Sequence, residues 1–239
     1  MTVDIFIPCF IDQLYPNTAF NMIKVLEKVG CKVNYNDKQT CCGQPAFNSG
    51  FWDEARSVGA KFIRDFSGAR TVVTPSASCC GFVKNYYGKL FENSAMHNES
   101  RSVGKNIIEF SDFLVNTLKV TDLGAELNGT ATYHDSCAGL RECHIKREPR
   151  ALLQQVKGLT LTEMVDTETC CGFGGTFAVK FSEISNGMAT QKLENALATG
   201  ADYIISTDVS CLMHLEGKIN KEQLPIKTMH LVDVLASGW

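Results

Sequence analysis

The stretch ARTVVTPSASC (69–79) and its counterpart ADYIISTDVSC (201–211) are the most informative runs in this chain. Each is an apolar run that gives way to polar residues and ends on a cysteine. That is the pattern of a buried strand carrying a functional group at its C-terminal end. The two final cysteines lie 132 residues apart, which points to an internal duplication.

Around these runs the same plan appears twice. The first half carries IPC (7–9), TCCG (40–43) and PSASC (75–79); the second carries HDSC (134–137), TCCG (169–172) and TDVSC (207–211). IIEFSDFLVNTL (107–118) also resembles MHLVDVLASGW (229–239), and each reads as a short apolar helix closing its half. Between these anchors, strands such as VDIFIPCF, CKVNYN, TATYHDS and LTLTEM alternate with helical stripes. Phe20, Ile23, Leu26 and Val29 form one stripe; Ala55, Val58, Gly59, Phe62, Ile63 and Phe66 form another. REPRALLQQV reads as a helix, and Ala189, Leu193, Ala196 and Leu197 mark a longer one. The expected fold is α/β: two pseudo-symmetric units, 1–122 and 123–239, with mostly parallel sheets. Cys9, Cys79, Cys137 and Cys211 then fall at C-terminal strand edges, where open α/β sheets bind ligands.

Composition sets the chemistry. A 239-residue chain buries a full core without staples, so its 11 cysteines need another reason to be present. An odd number cannot all pair within the chain. Cys41-Cys42, Cys79-Cys80 and Cys170-Cys171 are adjacent, and neighbouring Cα atoms, about 3.8 Å apart, are too close for ordinary disulfide geometry. A net charge of −3 argues against a nonspecific grip on nucleic acid. No apolar run approaches the roughly 18 residues of a membrane span. MTVDIFIPCFIDQLYP lacks a basic region and a cleavage site, so it reads as a first strand, and the cytoplasm is the expected compartment.

In a reducing compartment the thiols are free to bind metal. Each half offers four: Cys9, Cys41, Cys42 and Cys79, then Cys137, Cys170, Cys171 and Cys211. Four thiolates suit either zinc or an iron–sulfur cluster. Structural zinc sites usually use short Cys-x₂₋₄-Cys knuckles, and none is present. Adjacent thiolates reach different irons of a cluster more easily than one small ion, which favours iron–sulfur. Gly43 and Gly172 permit a tight turn beside the metal.

The arrangement Cys9…Cys41-Cys42-Gly43…Cys79, repeated as Cys137…Cys170-Cys171-Gly172…Cys211, resembles the cysteine-rich, or CCG, domain family. That family includes the B subunit of heterodisulfide reductase and iron–sulfur subunits of glycolate and glycerol-3-phosphate oxidases. YHDSCAGLRECHIKREPR (133–150), CCGFGGTFAVKFSEIS (170–185) and PSASC (75–79) are most similar to its lactate-utilisation branch. The likeness covers essentially the whole chain. It implies an iron–sulfur electron-transfer subunit of a complex oxidising L-lactate to pyruvate, with other iron–sulfur subunits as partners. It allows peripheral membrane association through a partner. A thiol- or disulfide-reducing subunit and a zinc-stabilised interaction protein are the alternatives.

In relatives each motif can hold a non-cubane [4Fe–4S] cluster through five cysteines, the last two forming Cys-x-x-Cys. Here the corresponding positions are Phe82 and His214. A four-ligand [4Fe–4S] cluster in one or both halves is therefore expected, with zinc in one half as the alternative. Cys80, Cys143 and His214 are candidate additional ligands.

His134 and Asp135 precede Cys137 and are candidates to hydrogen-bond a thiolate or relay a proton, or simply to hold the turn. Arg141, Lys146, Arg147 and Arg150 form an expected basic patch, suited to a carboxylate, an anionic cluster or a partner, or else a solvated helix face. His144 reads as a surface histidine and Cys31 as a core residue. Gly172-Phe173-Gly174-Gly175 lacks the pattern of a nucleotide loop. A Cys–His hydrolase leaves the duplicated motif unexplained.

Overall fold

Each half forms a four-stranded, all-parallel sheet in the computed structural model, which describes residues 1–68 and 70–239. Ala69, the first residue of the repeated stretch, lies outside the described residues. The first sheet contains β1 (Thr2–Ile5), β2 (Lys32–Tyr35), β3 (Val72–Thr74) and β4 (Ile107–Glu109), in the order β2-β1-β3-β4. The second contains β5 (Glu126–Tyr133), β6 (Lys157–Leu161), β7 (Tyr203–Ser206) and β8 (Lys227–His230), in the order β6-β5-β7-β8. Two short runs of wider helical turn, Phe113–Thr117 and Ala138–Glu142, follow β4 and β5.

The duplication is visible in the hydrogen bonding. Ile5 lies opposite Val73, as Tyr133 lies opposite Ile205. One residue on, the Phe6 amide donates to the Val73 carbonyl at 2.9 Å, and the His134 amide to that of Ile205 at 2.8 Å. Phe6 and His134 are therefore structural equivalents. The helices Trp52–Asp65 and Ser182–Leu197 correspond as well. The first buries Ala55, Gly59, Phe62 and Ile63; the second buries Ser185, Ala189, Lys192 and Leu193 at the same spacing. Lys192 thus stands where the first unit has Phe62.

One core runs between the sheets, joining Val3, Met22 and Phe110 to Ala131, Leu152 and Val232. Each unit also buries a second face: Phe6, Phe62 and Tyr87 in the first, Ile204, Leu212 and Leu215 in the second. In the helix Pro16–Lys28 the buried stripe is Thr18, Met22, Val25 and Leu26, so Phe20, expected to face inward, is exposed.

Two segments differ from their sequence reading. The stretches 107–118 and 229–239 do not begin as helices: each starts with a strand, β4 or β8, and turns helical only afterwards. A short apolar run fits either state, and pairing decides it. Ile107 and Ile108 lie beside Val72 and Val73, and Thr228 and Met229 beside Ile204 and Ile205. Nor does the first strand reach Cys9. It ends at Ile5, and Cys9 opens the helix Cys9–Leu14 behind Pro8, which has no amide to donate to a sheet.

The strand-to-helix corner after β4 carries a pH-sensitive group. Glu109 is buried and accepts hydrogen bonds from the amides of Ser111 and Asp112 and from the Ser111 hydroxyl. Burial nonetheless raises its carboxyl from 4.5 to about 7. A raised acid contributes stability below its unfolded pKa that is lost as pH rises through the folded one. Equilibrium denaturation is expected to lose about 3 kcal/mol from this group between pH 4.5 and 8. Glu109→Gln should flatten that part of the profile.

Candidate metal centre

The order of each sheet reverses at its first strand, so β1 and β3, and likewise β5 and β7, open a crevice at their C-terminal ends. Cys9 follows β1, the Cys41-Cys42-Gly43 turn follows β2, and Cys79 lies in the first turn of the helix Ala77–Leu90 after β3. Their side chains converge. Cys9 Sγ is 3.7 Å from Cys41 Sγ, and Cys42 Sγ is 3.3 Å from Cys79 Sγ. In the second unit Cys137, Cys170, Cys171 and Cys211 neighbour one another in the same order. All eight line one cavity of about 510 Å³ between the units, with Phe10 and Phe173 in its wall. The phenyl rings of Phe10 and Phe173 meet edge-on, 6.0 Å apart.

The Cys-Cys-Gly turns explain how adjacent thiols can face one site. Gly43 and Gly172 have φ of +90° and +93°. Their amides each fold back 3.4 Å from the first thiol of the turn, Cys41 or Cys170. A side chain is excluded as well as strained there: a Cβ on Gly172 would lie 2.5 Å from the Ser185 carbonyl oxygen, and one on Gly43 would lie 3.1 Å from that of Ala55.

The electrostatics single out one thiol in each unit. Hydrogen bonds from Cys42 and Cys9 lower the Cys41 thiol to about 3, and the Gly43 amide acts in the same direction. Bonds from Cys137 and Cys171, then the Gly172 amide, lower Cys170 to about 2. Their neighbours go the other way. Cys9 and Cys42 are raised by hydrogen bonding to Cys41 and by burial; Cys137 and Cys171 are raised by bonding to Cys170 and by burial. Each quartet can therefore hold one thiolate readily, while further deprotonation needs a cation to offset the accumulating charge.

The other expected residues are placed as follows. His134 is fully buried, and among the described residues neither ring nitrogen has a hydrogen-bond partner. A ring nitrogen and the Cys171 and Cys211 sulfurs all lie within 4.8 Å of one another. Burial, and then the neighbouring Lys192, push its pKa down to about 4, so the imidazole is neutral and able to donate a lone pair at neutral pH. Asp135 turns away from the thiols. Its two oxygens accept a bidentate pair from Arg150 at 2.9 and 2.8 Å, so it is a structural anion at the strand-end turn. His214 is half-buried, with Nε2 3.2 Å from the Ser185 hydroxyl. Cys80 and Cys143 are buried beside each other between the units, and Cys143 donates to the Ala77 carbonyl at 3.4 Å. Cys31 packs in the shared core, and His144 is exposed.

The expected basic patch is a mixed-charge surface. Arg150 also pairs with Glu163, and Lys146 pairs with Glu168. Two further residues of consequence stand outside the candidates that the sequence suggests. Lys192 is a lysine on an otherwise small and apolar stripe; its Nζ donates to the Asp166 and Thr167 carbonyls at 2.6 and 3.1 Å, fixing the segment before Cys170. Asp208 stands where the first unit has Ser76. Its carboxylate accepts from the Ser78 amide at 2.8 Å and hydroxyl at 3.1 Å, capping the first unit's helix from across the cleft.

Comparison with known proteins agrees with this duplicated architecture. The family described as "CCG: Cysteine-rich domain" matches residues 3–86 and again 131–216. The chain is 41% identical over 237 residues to lactate utilization protein A of Bacillus pumilus (strain SAFR-032), covering 99% of this chain and 100% of that one. It is 41% identical over 235 residues to lactate utilization protein A of Geobacillus thermodenitrificans (strain NG80-2), covering 98% of each. Among solved structures, a hypothetical protein from Helicobacter pylori superposes with a TM-score of 0.56 at 12% identity. All of this chain is covered there, and it spans about half, 49%, of that longer chain.

Proposed function

We propose that this chain, which belongs to the cysteine-rich CCG domain family, is an iron–sulfur electron-transfer subunit of a complex oxidising L-lactate to pyruvate. The observation that carries the reading is the pair of thiol quartets facing one cavity. A lone structural metal needs no such opposition, whereas electron transfer gains from centres held close together. The lactate assignment rests on the full-length likeness to lactate utilization protein A.

When bound, an iron–sulfur cluster supplies one-electron redox chemistry. Cys9, Cys41, Cys42 and Cys79 would hold one centre, and Cys137, Cys170, Cys171 and Cys211 the other. The chain's remaining work is positional. The Gly43 and Gly172 amides donate toward the Cys41 and Cys170 sulfurs, which stabilises negative charge there. Phe10 and Phe173 exclude water from the wall between the units. Other iron–sulfur subunits complete the complex in the cytoplasm. Among the described residues no helix is long and apolar enough to cross a membrane.

One observation favours zinc in the first unit as a second reading. Sulfur separations of 3.7 and 3.3 Å are close to the edge of a tetrahedral zinc–thiolate site, about 3.8 Å for bonds of about 2.3 Å. The test of function is anaerobic reduction by L-lactate of the complex reconstituted from this chain and its partners. Bleaching of the cluster absorbance is expected. Intact clusters that stay oxidised under lactate would move the substrate elsewhere.

A further inference from the structure

The two units differ at one pair of equivalent positions close to the thiols. In the first unit Phe6 and Phe62 meet edge to face, 4.8 Å between ring centroids. In the second, the equivalents are His134 and Lys192. A histidine gains nothing by replacing a core phenylalanine unless its nitrogens find partners, because an unpaired buried polar group is destabilising. His134 has none among the described residues: both nitrogens are buried and unbonded. Ser206, close by, bonds the His134 carbonyl rather than the ring. What the ring does face is sulfur, with Cys171 and Cys211 within 4.8 Å.

We infer that His134 is a direct ligand of the second unit's metal centre, which makes that centre a mixed sulfur–nitrogen site while the first is bound by sulfur alone. This rests on the metal-binding reading above and adds to it an inequivalence that the duplicated cysteines do not reveal. The additional ligands that the sequence suggests are placed elsewhere. His214 is engaged by Ser185, and Cys80 and Cys143 are buried beside each other. In the first unit no nitrogen donor is available at this position, because Phe6 fills it. For an iron–sulfur centre, replacing thiolate by imidazole raises the reduction potential.

X-ray absorption at the edge of the bound metal tests this for iron and zinc alike, on full-length protein prepared anaerobically. Protein carrying Cys41→Ser and Cys42→Ser reports the second centre; protein carrying Cys170→Ser and Cys171→Ser reports the first. The second centre should show a nitrogen scatterer with the outer-shell pattern of imidazole, and the first should show sulfur only. His134→Phe, which copies the first unit's own residue, should remove the nitrogen signal; His214→Asn should leave it. His134→Cys should retain the metal, convert the shell to sulfur and, if iron is bound, lower the potential. A sulfur-only shell in the metal-loaded second unit, or a nitrogen shell that survives His134→Phe, overturns the assignment while the metal reading stands. Wild-type protein with no bound metal overturns both.

Discussion

Replacing Cys171 by serine is expected to empty the second metal centre and leave the first loaded, so that metal per chain falls to the first unit's share. Cys171 lies between Cys170 and Cys211 in the thiol chain and beside His134, so its loss breaks the quartet at the middle. Serine cannot substitute: its hydroxyl is a poor ligand for a soft metal site, and at a position only 2% exposed it becomes a buried polar group without a partner. Metal binding is also folding free energy, so thermal stability of the second unit should drop with occupancy. Cys42→Ser is the mirror experiment and should empty the first centre alone. Cys31→Ala is the control, because Cys31 packs in the shared core, and its loss should lower stability without changing metal content. The measurement is anaerobic metal and sulfide analysis of the three proteins. Equal loss from both units in Cys171→Ser would mean that the quartets are not independent sites.

Replacing Arg150 by alanine should give a large loss of stability. Arg150 holds Asp135 through two hydrogen bonds, contacts Glu163, and lies over the Tyr133 ring at 4.9 Å. Asp135 is buried, so removal of its partner leaves a carboxylate without compensation, at about 3–5 kcal/mol. The damage should reach the site. The Asp135 amide donates to the Thr167 carbonyl at 3.2 Å, and Lys192 holds the same carbonyl, so the turn bearing Cys137 and the segment leading to Cys170 are tied together there. Asp135→Asn combined with Arg150→Met should recover part of the loss, because it removes the charge that the single substitution strands. Chemical denaturation of the anaerobic proteins reads this directly. If Arg150→Ala is as stable as wild type, the pair is not a structural one.

How far the sequence discloses all this depends on the kind of contact involved. The quartets were legible because cysteine is rare and because each lies at the end of a strand or in a Gly-bearing turn whose pattern recurs. The fourth strands were not, since Ile107-Ile108 and Thr228-Met229 are apolar at a length that suits helix or strand, and only the neighbouring strand decides. His134 and Asp135 stand out together for their place before Cys137. Sequence adjacency does not say that one turns toward the sulfurs and the other toward Arg150. That split follows from the alternation of side chains at the end of β5. Asp208 capping the other unit's helix depends on how the units dock, so no local pattern could announce it. Lys192 was visible in principle as a charge on a buried stripe. Its equivalence to Phe62 emerges only when the two helices are laid over each other.

On the proposed reading, both thiol quartets hold metal and at least one holds an iron–sulfur cluster. The decisive experiment is metal and acid-labile sulfide content of protein isolated without oxygen, combined with EPR of the dithionite-reduced sample. The expected result is stoichiometric iron and sulfide with a reduced-cluster signal, accompanied at most by one zinc in the first unit. Zinc in both units with no sulfide, or no bound metal at all, would contradict it.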